Sequence, residues 1–209
     1  MAIERSVHLT AGQRPASLPN SGSDPWDADV ALEALIALVP LDHLPRTGWA
    51  LRGIESPESI AGHILGVAHV ALALAPQVRP ALDLGRVLAM ALVHDAPEAL
   101  SGDLPRPAAR HLPAGAKKAM EASLAREILW PLSAAAADAY SEFSDQGTRE
   151  ARFVKKCDQL QLGVRLLAYE LGGRRGLEEF WDGLVLEDTQ EFPAAEGLLQ
   201  ALHSARPTG

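Results

Sequence analysis

Apolar residues recur along this chain in steps of three and four, and no stretch shows sustained alternation of β-branched or aromatic positions, so the pattern predicts helices and no strand. The first helix is expected over residues 27–39, with Asp27 as N-cap and Pro40 marking its end. A punctuated loop carrying Pro45, Gly48, Gly53 and Pro57 follows. The second helix is expected over 57–75, with Ser56 as N-cap and Pro57 at its first position. The third runs over 82–101 as one unbroken helix closed by Gly102. Further helices are expected at about 115–131, 133–143, 148–171 and 194–205. The fold class is therefore all-α, with a Gly-, Pro- and Ser-rich arm over 1–26 and one helical domain over 27–205.

Composition narrows the setting. The 209 residues suit one substantial core, and aromatics at 5% against abundant Ala and Leu favour helix over strand. A net charge of -8 argues against a nucleic-acid or anionic-membrane surface, though a small anion answers to local cations instead. Cys157 is the sole cysteine, so no intrachain disulfide forms and the cytoplasm is the expected compartment. The first twenty residues lack an uninterrupted apolar core of the secretory kind. No membrane span is expected, since the longest weakly polar stretch, 64–75, is short and broken by His69.

Helix phase then places polar groups among the apolar ones. In the second helix Ile60, Ile64, Val67, Ala71 and Leu74 form a stripe that includes His63, while His69 faces away. In the third, Val87, Met90, Ala91 and His94 share a face that Glu98 continues and Asp95 flanks. Carboxylates there sit at the unfavourable end of the helix dipole, so stability does not select them. In the helix over 148–171, Val154, Cys157, Gln161, Val164 and Ala168 trace the inward side, with Asp158 beside Cys157 and neither Lys155 nor Lys156 an obvious partner for it.

Each group alone has a plain alternative: a core histidine bonded to a carbonyl, or a partly solvated acid. Together, two histidines and two aspartates on three helices point to a common interior. Mixed imidazole and carboxylate donors suit Mg²⁺, Mn²⁺, Co²⁺ or Fe²⁺, and one such ion satisfies both anions. No Walker A loop, GxGxxG, GxSxG or HExxH sequence is present. Cys157 reads as a small buried hydrophobe, and His8, His43, His111 and His203 as solvated residues without partners. Leu129 and Trp130 lie on an amphipathic stretch that packs on the core or on a second subunit.

Three segments, "LPRTGWALRGIESPESIAGH", "LAMALVHDAPEALSGDLPRP" and "FVKKCDQLQLGVRLLAYE", resemble in order those of HD-domain metal-dependent phosphohydrolases, specifically the 5′-deoxynucleotidase subgroup. The resemblance implies an HD-domain helical bundle around a buried divalent-metal site. It implies metal-ligand roles for His63, His94, Asp95 and Asp158, with Glu98 acting on the attacking water. It puts Asp103, of the Gly-Asp pair, in the substrate pocket with a part in activity and sugar binding. It gives Arg46 the phosphate and Trp49 the exclusion of a 2′-hydroxyl. One difference from many relatives is Gly62, where they carry a non-ligating acid, so altered local packing is expected there.

The expected substrate is thus a (deoxy)nucleoside monophosphate and the expected assembly, on resemblance, a homodimer. Two other readings are an HD hydrolase for a modified nucleotide and a non-catalytic nucleotide-binding HD module. The complete set of four ligand positions with Glu98 and Asp103 argues against the second.

Overall fold

A computed structural model describes residues 27–207; the arm expected over 1–26 lies outside the described residues. Among those described there is no strand, only a single bridge between Pro45 and Ser59. The chain opens with α1 (Ala28–Leu38), capped by Asp27, whose carboxylate accepts from the amides of Asp29 and Val30. A 3₁₀ turn and the short α2 (Thr47–Ala50) occupy the expected loop. Then come α3 (Ile60–Leu74), α4 (Leu84–Val93), α5 (Glu98–Ser101) and α6 (Arg106–Ala109). The second half holds α7 (Ala116–Leu129), α8 (Ala134–Asp145), α9 (Arg149–Leu171), α10 (Glu178–Asp182) and α11 (Pro193–Ser204).

The bundle centres on α3, α4 and α9, with α3 packed on both others and α8 against α4. The core between them includes Val67, Ala71, Val87, Met90, Ala91, Phe153, Val154 and Leu160. Eighteen residues of α3 and its extension, Ile60–Gln77, carry no Asp, Glu, Lys or Arg and average a hydropathy of 1.4. That run is longer than the sequence reading allowed; its apolar side is the inner wall of the bundle, where Ile60, Val67 and Ala71 are wholly buried.

Three expectations are corrected. First, α3 is capped by Ser59, not Ser56, and starts three residues late. The preceding backbone is already engaged elsewhere: Arg46 N–H donates to the Glu58 carbonyl, and Glu58 N–H donates to the Tyr169 hydroxyl.

Second, α4 stops at Val93 instead of reaching residue 101. Pro97 has no amide to offer the Val93 carbonyl and disfavours the helical conformation at Ala96, so the Ala96 amide tightens onto Val93 and the chain bends. The short α5 restarts at Glu98, and Gly102, at φ 72°, ends it with its amide on the Glu98 carbonyl.

Third, Val164 and Ala168 on α9 are exposed. The second half of α9 is covered from another side, by α10, α11 and the segment between them. Leu184 and Leu202 lie against Gly163, and the Trp181 indole N–H donates to Glu170, so the buried face there is Leu160, Gly163, Leu166 and Glu170.

Candidate functional site

The bend after α4 sets the site. His94 caps α4 with its amide on Met90, and Asp95 opens the turn that Pro97 enforces. α3 brings His63 to the same point, and α9 brings Asp158. His63 Nε2 lies 3.1 Å from Asp158 Oδ1 and 3.5 Å from Asp95 Oδ2. His94 Nε2 lies 3.3 Å from Asp95 Oδ2 and 3.3 Å from His63 Nε2. One donor atom each from His63, His94 and Asp158 fall within 4.8 Å of one another.

The donor chemistry fits a divalent cation. His94 Nδ1 stands 2.9 Å from the Ala91 carbonyl, which only accepts, so the proton sits on Nδ1 and the lone pair of Nε2 faces the cluster. The Nε2 atoms of two buried imidazoles thus converge on two carboxylates, an arrangement of electron pairs that a cation resolves. Hard oxygen and borderline nitrogen donors together exclude a preference for soft ions.

In metal-free protein, a proton on His94 takes the place of that cation. Burial opposes the charge on Asp95, yet His94 and His63 hold its pKa well below the usual carboxylate range. Burial likewise opposes the charge on Asp158, and Lys155, His63 and His94 reverse the outcome, leaving its pKa far down. Lys155 was not expected as a partner, but its Nζ sits 2.7 Å from Asp158 Oδ2. The i,i+3 spacing that brings them together was present in the sequence. For His94, burial is outweighed by Asp95 and the pKa is raised.

A cavity of about 440 Å³ opens above the cluster, lined by Arg46, Trp49, Asp95, Glu98, Asp103 and Asp158, with Lys155 among its cations. Glu98 is buried, and its Oε2 has no hydrogen-bond partner among the described residues. Burial, then Asp95 and Asp103, push its carboxyl up to about 9. Burial opposes the Arg46 charge, but Asp95, with Asp158, Glu58 and Asp103 behind it, raises its pKa overall. Arg46 Nη1 lies 3.8 Å from Asp95 Oδ2.

Asp103 does more than line the cavity. Its Oδ2 accepts from the Thr47 amide at 2.5 Å, and the Thr47 hydroxyl donates to its carbonyl at 3.0 Å. The Gly102 turn is thereby tied to the first turn of α2, which carries Arg46 at its cap. Trp49 is nearly fully buried, 4.3 Å from the Phe180 ring and 5.2 Å from Tyr169, and forms a wall rather than a rim. Its indole N–H is unpartnered among the described residues.

All eight residues singled out from the sequence meet around this one cavity, six of them lining it and His63 and His94 beneath, each within 3.5 Å of Asp95. The sequence reading missed Lys155, Phe180 and the buried pair Glu58 and Gln161 behind His63. At Gly62 a Cβ would find only ordinary contacts, 3.4 Å from Ser59 Oγ and 3.5 Å from Glu58 Cγ. Away from the site, Cys157 is buried, and burial raises its thiol pKa. Leu129 is buried in the core. His203 is not partnerless as expected, since it lies on α11 with its ring 5.2 Å from Trp181. His111 faces Arg110 Nε at 3.4 Å, and His8 lies outside the described residues.

Comparison with known proteins converges on the same region. A family model described as HD domain matches residues 40–195. The 5′-deoxynucleotidase HDDC2 of Xenopus laevis is 34% identical over 147 residues, 68% of this chain and 71% of that protein. The mouse (Mus musculus) protein of the same name is 32% identical over 148 residues, 68% and 72% of the two chains. Among solved structures, the PH0347 protein of Pyrococcus horikoshii OT3 superposes with a TM-score of 0.72 at 30% identity, covering 84% of this chain and 99% of that one.

Proposed function

The chain belongs to the HD-domain family, and from that premise we infer its reaction: hydrolysis of the 5′-phosphate of (deoxy)nucleoside monophosphates, giving nucleoside and phosphate. It is a metal-dependent phosphohydrolase. The observation that carries the site assignment is the convergence of His63, His94, Asp95 and Asp158 beneath a cavity that also holds Glu98 and Arg46.

We assign those four side chains as the ligands of one divalent ion. Such an ion supplies Lewis-acid charge to the phosphoryl oxygens and makes water a competent nucleophile at neutral pH. Co²⁺, Mn²⁺, Mg²⁺ and Fe²⁺ all suit the donor set. Glu98, whose buried Oε2 has no hydrogen-bond partner among the described residues, is the group assigned to take the proton of the attacking water. A cation held beside Asp95 would offset the negative charge that keeps its carboxyl protonated in metal-free protein. Arg46 neutralises the phosphate from the other side, and Asp103 fixes the turn that presents it. The wall made by Trp49 and Phe180 bounds the sugar side, which supports deoxyribose over ribose.

The catalytic unit is assigned to residues 27–205. A homodimer is supported by Leu32, Leu35 and Ile36 of α1 and by Val39 beyond it, each more than half exposed. The acidic net charge and the lone buried cysteine support a cytoplasmic enzyme that binds neither nucleic acid nor membrane.

The test is phosphate release by protein stripped of metal and reloaded with Co²⁺, Mn²⁺ or Mg²⁺, over a panel of deoxy- and ribonucleotides. Turnover confined to monophosphates, and lost in Glu98→Gln, is the expected result. Absence of turnover with every metal and nucleotide overturns the reading.

A further inference from the structure

Behind the cluster lies a buried chain of polar groups that the proposed reaction does not use. His63 Nδ1 stands 2.5 Å from Gln161 Oε1. Gln161 Nε2 donates to Glu58 Oε1 at 2.5 Å, and Arg165 Nε donates to the same oxygen at 2.8 Å. Glu58 and Gln161 are both buried, while Arg165 reaches solvent. A relay of named donors thus runs from the protein surface to the far side of His63.

Its polarity is fixed by chemistry. A carboxylate only accepts, so the end of Gln161 that faces Glu58 must be the amide NH₂. The end that faces His63 is therefore the carbonyl oxygen, which also only accepts. Nδ1 of His63 must donate to it. This matters because two acceptors compete for the one proton of neutral His63: Gln161 Oε1 beside Nδ1, and Asp158 Oδ1 at 3.1 Å from Nε2. Only the Nδ1–H tautomer leaves Nε2 with a lone pair for an ion.

The space around Gln161 is built to hold it. A Cβ on Gly66 would stand 2.7 Å from Gln161 Nε2 and 2.8 Å from its Cγ, closer than a real Cβ comes to any neighbour. Even alanine at this turn of α3 would evict the amide. Glycine in a helix interior is less favourable than alanine, and here it makes room for a polar side chain instead of an apolar one.

We propose that Gln161, oriented by Glu58, is a positioning residue that holds His63 in the tautomer competent to bind a divalent ion. The inference rests on the reading of His63 as a ligand. Hydrogen-bond partners of this kind change metal affinity by about 10–100-fold when removed.

The test measures binding of Co²⁺ by chelator competition, with no substrate present. Gln161→Leu, similar in size, binds Co²⁺ about 10–100-fold more weakly than the parent. Gln161→Glu alone sets two carboxylates face to face and also weakens binding. Adding Glu58→Gln to it reverses the relay, since a carboxylate at 161 still accepts from His63 and an amide at 58 now donates, while Arg165, which would face that amide, turns to the solvent it already reaches. That pair recovers affinity to within about threefold of the parent. In protein loaded with Zn²⁺ as a diamagnetic probe, the His63 Nδ1 proton is a slowly exchanging resonance that Gln161→Leu abolishes.

A folded Gln161→Leu that binds like the parent, or a reciprocal pair no tighter than Gln161→Glu alone, overturns the proposal and reduces Gln161 to a filler. The reciprocal comparison stands even if Gln161→Leu fails to fold. A parent protein that binds no Co²⁺ overturns the site assignment as well; loss of the Gln161 effect alone leaves that assignment intact.

Discussion

The floor and the mouth of the cavity are built differently. The floor comes from the three long helices of the core: His63 from α3, His94 from the end of α4 and Asp158 from α9, with both histidines almost without exposure. The mouth comes from short pieces and turns: Arg46 at the cap of α2, Trp49 within it, and Asp103 after the Gly102 turn. Rigid helices set donor positions within the cluster, while the mouth depends on tertiary ties such as Asp103 to Thr47 and Trp49 to Phe180. On the proposed assignment, precision of metal binding is inherited from the core, and substrate recognition from joints that loop changes can adjust.

The largest effect should come from the floor. Asp158→Ala removes one of the proposed ligands and leaves Lys155 without its partner, so hydrolysis should fall by about 10⁴-fold or more as the Lewis acid is lost. Metal content per chain, measured beside phosphate release, should fall with it. Activity that survives with stoichiometric metal would erase the distinction drawn here.

Next is Trp49→Ala, at the mouth but in the core by burial. It should cost about 3–5 kcal/mol of stability in denaturant unfolding, as large aromatic truncations do. A loss below about 1 kcal/mol would mean that the wall is not packed as described. Milder still is Arg46→Ala, expected to lower kcat/KM by about 10²–10³-fold, in the range for one lost charged donor to a developing phosphoryl charge. Because Arg46 touches only Asp95 of the cluster, metal affinity should change far less than in Asp158→Ala. Equal losses in both would merge floor and mouth into one unit.

The smallest effect concerns Glu98 in metal-free protein. Its pKa is raised from the ordinary 4.5 to about 9, burial being the main cause. A carboxyl raised in the folded state favours folding below its unfolded value and loses that contribution as pH climbs toward the folded one. Stability of the metal-free protein should therefore decline between about pH 4.5 and 9 through this group. Glu98→Gln should flatten that decline and raise the Tm at pH 8 by a few degrees, roughly 2–4 °C per kcal/mol at this size. A variant whose pH profile in thermal melts matches the parent would show that Glu98 is solvated after all. The depressed carboxylates act oppositely: Asp95 and Asp158 add stability above the ordinary carboxylate range and lose it as pH falls below.

The helical phase was legible wherever a helix ran straight from its cap. His63 falls inside the Ile60, Ile64, Val67 stripe in the sequence and is buried there in the structure. Asp158 beside Cys157 lies on the inward side, as read, because it belongs to the half of α9 that packs on α3 and α4, before the half covered by α10 and α11. The bend at Pro97 was not read, although proline signals it; a continuous helix would have stacked Glu98 directly beyond His94. The bend keeps both in one cavity while freeing Asp95 to face the histidines. Glu58 and Gln161 were invisible as a pair, because 103 residues separate them and neither stands out by type.

What the sequence determined by itself is what a helix determines locally: an all-α chain, its first cap at Asp27, and inward histidine and aspartate positions on three helices. Helical phase depends on backbone geometry alone, so it needs no partner to be read. Only the tertiary structure decided which atoms meet. It turned Gln161 toward His63, set Glu58 behind it, left room at Gly66 and joined Asp103 to Thr47. Those contacts depend on how α3 and α9 pack and where the turns return, and no spacing within a single helix encodes either.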